Sequence, residues 1–67
     1  MTTQDSNLKD QQIEIARIIR EECIHAATTG YERAAMSGLC GEGAWEAAIS
    51  AVRMLDLELI LKERFIS

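Results

Sequence analysis

The sequence predicts an all-α chain, a two-helix antiparallel hairpin that dimerises into a four-helix bundle. Three observations point there. None of the 67 residues is proline, and abundant Ala, Glu, Ile, Leu and Arg without strand-like alternation favour helix throughout. Three of the four glycines are gathered in Gly38-Leu39-Cys40-Gly41-Glu42-Gly43, between two long helix-like segments; they read as a bend. A chain this short buries too little apolar surface to stand without a disulfide, a metal or a partner subunit, so a second copy is the simplest remedy.

Residues 1–6 are expected to be a flexible polar start. Ser6 or Asn7 is placed to cap the first helix, because a short side-chain oxygen accepts an orphan amide of the first turn, and Asp10 suits the positive helix end. This helix runs over about 7–37, roughly 30 residues and about 45 Å. It sets Ile19, Cys23, Ala26, Ala27, Gly30 and Ala34 on one face, with Glu14, Arg17, Glu21, His25, Thr28 and Glu32 opposite. Gly30, inside the helix at a cost of about 1 kcal/mol relative to alanine, implies close approach by the neighbouring helix.

The turn spans 38–43. Gly38 follows Ala34-Ala35-Met36-Ser37 where a left-handed residue ends a helix, and Leu39 adds a hydrophobic cap. The second helix is expected over about 43–65, with Ala44, Ala48, Val52, Leu55, Leu59 and Ile66 facing the first. Small residues then meet near the turn. Farther away, Ile13, Ile15, Ile18 and Ile19 meet Leu55, Leu59 and Leu61, and the helices separate.

A further stripe, Met54, Leu57, Leu61 and Phe65, follows helical spacing on the side of the second helix turned away from the hairpin. A lone hairpin leaves it wet. Full burial of each large apolar side chain is worth roughly 1.5–3 kcal/mol, more than an exposed ion pair, so these residues, with Ile15 and Ile18, are the expected interface between copies.

Composition excludes several function classes. Eleven acidic against seven basic residues give a formal charge of −4, and the cations are dispersed, which disfavours nucleic acid. No apolar run approaches the roughly 18 residues of a membrane span, and no signal peptide is evident. Two cysteines are too few for a secreted disulfide scaffold, so a cytoplasmic location is expected.

Chemistry has few candidates. Cys40 precedes a helix N-terminus, where dipole and amides favour thiolate, but no adjacent base and no C-x-x-C partner accompanies it. An ordinary thiol pKa near 8.5 or above is expected, with Glu42 opposing ionisation. Cys23 reads as a small core hydrophobe. Glu22 and His25 have the Glu-x-x-His spacing of di-iron bundles, and a hairpin brings Asp56 or Glu58 level with them. His25 nevertheless projects away from the main apolar face. The glycine turn lacks the preceding strand and following Lys-Ser/Thr of a phosphate loop. Trp45 and Tyr31 read as anchors covering the alanine-lined end.

No catalytic residue and no cofactor is therefore expected. The leading reading is a non-catalytic protein-interaction module, an adaptor, regulator or accessory subunit, whose partner is itself or another protein. The alternative is a metal-binding or redox bundle using Glu22, His25 and an acidic residue of the second helix such as Glu58, or a reactive thiol at Cys40.

Overall fold

The computed structural model describes the backbone of residues 3–66 and the side chains of residues 8–64. The chain is helical with no strand among the described residues: α1 (Thr3–Met36), α2 (Gly41–Arg53) and α3 (Leu57–Leu61), the last continuing into a π-helical turn over Lys62–Ile66. The particle is elongated, 54 × 25 × 13 Å, and α1 alone accounts for the long dimension at about 1.5 Å per residue.

Helix α1 starts at Thr3 rather than near residue 7. Ser6 and Asn7 thus lie within the helix instead of preceding it as caps. No proline or glycine stands in the first turns to stop the backbone from continuing as helix toward the N-terminus. Residues 1 and 2 of the expected flexible start lie outside the described residues.

At its other end α1 stops as its glycine dictates. Gly38 takes φ = +94°, a conformation that resists a Cβ. Its N–H donates to the carbonyl of Ala35 (3.0 Å) and that of Leu39 to the carbonyl of Ala34 (3.1 Å), the paired bonds that satisfy orphan carbonyls at a left-handed helix end. The Ser37 hydroxyl closes a further carbonyl, that of Arg33, at 3.0 Å.

Beyond this turn α2 folds back along α1, and small residues let the backbones meet. A Cβ placed on Gly30 would lie 3.0 Å from Ala51 Cβ, 3.1 Å from the Ala47 carbonyl oxygen and 3.3 Å from Ala48 Cα, so the close approach expected at Gly30 is present. Ala44 and Ala48 are 1% and 2% exposed, and Ala34 is 7% exposed. These three alanines are the buried core, and no large side chain is fully buried among the described residues.

The second helix is not continuous over 43–65. It begins at Gly41, ends at Arg53, and the chain breaks over Met54–Asp56. Met54 sits at φ −90°, ψ 2°, and Asp56 is extended, its Oδ1 accepting from the Leu59 amide at 3.0 Å. Asp56 has therefore opened a new helix as its N-cap; the Asp side chain competes for amides that an unbroken helix would need. The break alters which residues face α1. Val52 and Leu55 remain half-buried, but Leu59, expected in the core stripe, is exposed. The side chain of Ile66 lies outside the described residues.

An ion pair links the far end to α1. Arg64 Nη2, on the π-helical turn, lies 3.0 Å from Glu22 Oε2 of α1, reaching across by its side chain. Both side chains keep solvent access, so this pair contributes at most about 1 kcal/mol.

Candidate functional site

The expected interface residues do not form one uninterrupted stripe. Met54 closes α2 and is 82% exposed, Leu57 opens α3 and is exposed, and Leu61 ends α3 half-buried. The break at Met54–Asp56 divides the helical spacing that would align them. Ile15 and Ile18, half-buried on α1, belong to its N-terminal half, which α2 does not reach. The side chain of Phe65 lies outside the described residues.

Trp45 marks a surface that sequence reasoning missed. Instead of covering the alanine-lined end, its ring is 60% exposed on the first turns of α2. On one side it walls a groove of about 530 Å³ between α1 and α2, together with Ala27, Thr28, Tyr31, Glu32 and Ala48. On its other side Trp45, Glu46, Ile49, Ser50 and Arg53 shape a second depression of about 510 Å³ along α2. The small residues of the helix contact leave the indole bordering this open groove rather than a closed pocket. The signal lay in the residues around Gly30: where both partners are small, a neighbouring aromatic has no pocket to enter.

Cys40 is the N-cap of α2, extended at φ −70° and ψ 172°, and exposed. The amides of Gly43 and Glu42 hold its thiol below the ordinary value, although its side chain makes no capping hydrogen bond of ordinary geometry. The backbone amide of Glu42 thus acts in the direction of the thiolate, whatever its carboxylate does. Leu39, beside it, packs toward Gly43, whose added Cβ would lie 3.5 Å from Leu39 Cβ.

The carboxylates and the imidazole do not gather. Glu22 is engaged by Arg64, while His25 and Glu58 are exposed on α1 and α3. Among the described residues, no three His, Cys, Asp or Glu side chains form a group that would hold a metal ion. Nor is any helix among them long and apolar enough to cross a membrane. No family model matches the chain, no curated protein matches its sequence, and no solved structure matches its fold.

Proposed function

We propose that this chain is a small non-catalytic protein-interaction module of the cytoplasm, an adaptor, regulator or accessory subunit that works as a homodimer or larger even assembly. The observation that carries this reading is the imbalance of its surface. Among the described residues three alanines are buried, whereas Leu8, Ile13, Ile24, Met36, Leu39, Trp45, Met54, Leu57 and Leu59 all stand exposed. The accessible surface is 5589 Å², about a third more than the roughly 4,200 Å² that the mass scaling gives for a compact monomer of 7.5 kDa. The excess surpasses the roughly 800 Å² that each partner contributes to an interface of standard size. In this reading Met54, Leu57 and Leu61, on either side of the break, and Ile15 and Ile18 of α1 supply contacts between the copies.

Light scattering at micromolar concentration tests it. A mass at least twice 7.5 kDa is expected, and Leu57→Asp should lower it, because a carboxylate in an apolar seam loses hydration without gaining a partner. A well-folded parent monomer at that concentration overturns the reading.

One observation favours a second reading, a working thiol. Cys40 stands exposed as the N-cap of α2, and the amides of Gly43 and Glu42 lower its pKa. Labelling of native protein by a thiol reagent across pH decides between them. An inflection below that of the unfolded chain follows from the amides alone; one well below pH 7 would displace the non-catalytic reading.

A further inference from the structure

The groove beside Trp45 is lined for an apolar occupant that carries positive charge. Ala27 and Ala48 make an apolar floor, the exposed rings of Tyr31 and Trp45 form walls, and Glu32 supplies a carboxylate with no ion pair among the described residues. Aromatic faces and a carboxylate together favour a guanidinium or ammonium group.

Such an occupant exists on α1 itself. Ile13, Arg17, Arg20 and Ile24 recur at steps of four, three and four residues and so share one face of the helix. Ile13 and Ile24 are 47% and 54% exposed. Arg20 makes no ion pair among the described residues, and Arg17 only approaches exposed Glu14 at 3.9 Å. Tyr31 lies on this same face, about five turns beyond Ile13. Stripe and groove thus belong to one unbroken helix, so the stripe cannot fold into the groove of its own chain. A neighbour is required.

We propose that the groove receives the Ile13–Ile24 stripe of a second copy. The two α1 helices cross antiparallel about a two-fold axis near Ile24 and His25, so that each copy gives one stripe and accepts one. Arg17 then meets Glu32 of the second copy, Arg20 lies against its Tyr31 and Trp45 rings, and the two Ile24 side chains meet at the axis. A self-complementary surface of this kind is what two-fold symmetry demands. The inference rests on the self-association proposed above but uses a different face. Ile15 and Ile18 lie roughly 140–200° around α1 from Ile13, so the two seams use different faces of the helix.

A charge-reversal pair in the full chain tests it, read by light scattering and by emission of Trp45, the single tryptophan. Arg17→Glu alone sets a second carboxylate against Glu32, and Glu32→Arg alone sets a second guanidinium against Arg17; each should weaken groove association about tenfold or more and red-shift Trp45. Mixing the two variants juxtaposes opposite charges at both contacts and should restore affinity and the blue-shifted emission. Circular dichroism verifies that each exposed-face variant keeps its helix. If the parent associates but neither variant nor their mixture moves the Trp45 emission, the groove seam is overturned while self-association stands. A monomeric parent overturns both.

Discussion

The two ends of this molecule are built from opposite materials. Near the turn, Gly30, Ala34, Ala44, Ala47, Ala48 and Ala51 bring two backbones into contact. At the far end, isoleucines of α1 lie toward a five-residue helix whose Leu57 and Leu59 remain exposed. The end with small side chains is the well-packed one. Apolar volume does not stabilise by itself; it does so when a partner surface covers it. At the turn the partner is within the chain, and the short link Ser37–Cys40 fixes the register. At the far end the chain breaks before it can cover α1, leaving a 34-residue helix opposed by a shorter, interrupted one.

The sharpest way to break this contrast is to overfill the close-packed end. Gly30→Leu should lower stability by about 1–3 kcal/mol, because a side chain there meets the Ala51 Cβ at 3.0 Å and the Ala47 carbonyl at 3.1 Å. That loss should exceed the gain in helix propensity of about 1 kcal/mol. A raised melting temperature would mean that the helices are not in contact at Gly30. Gly38→Ala probes the same end through the backbone alone. With nothing within 4 Å of an added Cβ but φ at +94°, its cost of about 1 kcal/mol comes from conformation, and thermal unfolding should show a loss smaller than that of Gly30→Leu.

Substitutions at the far end should matter less. Asp56→Ala removes the cap of α3, worth about 0.5–1 kcal/mol, and should increase fraying of α3 while α2 keeps its protection in amide exchange. Equal loss of protection in both would show one cooperative unit. Arg64→Ala should change stability by less than about 1 kcal/mol, an effect that fades with added salt; a larger, salt-insensitive loss would reveal a better-packed far end than the exposed pair suggests.

The contrast was half legible in the sequence. Helix class, the left-handed Gly38 and the approach at Gly30 follow from residue types whose backbone behaviour leaves few alternatives. The break at Met54–Asp56 was hidden because apolar spacing continues across it, and a lone Asp is ambiguous between helix surface and N-cap. That ambiguity carried Leu59 into the core and joined Met54, Leu57 and Leu61 into one stripe. Trp45 was misplaced for a related reason: ring size argues for burial, but the alanines and Gly30 around it leave an open groove rather than a closed pocket.

For the self-association proposed above, the linear order of these parts would also set the order of events. Only Ser37–Cys40 separate α1 from α2, and closing so short a link takes on the order of 10–100 ns, helix formation about a microsecond. Two copies at micromolar concentration, associating at about 10⁶ M⁻¹s⁻¹, meet on a timescale of about a second. The hairpin is therefore complete long before any encounter, and collision partners are formed surfaces rather than unfolded chains. Refolding from denaturant should then separate into a fast phase independent of concentration and a slow one that scales with it.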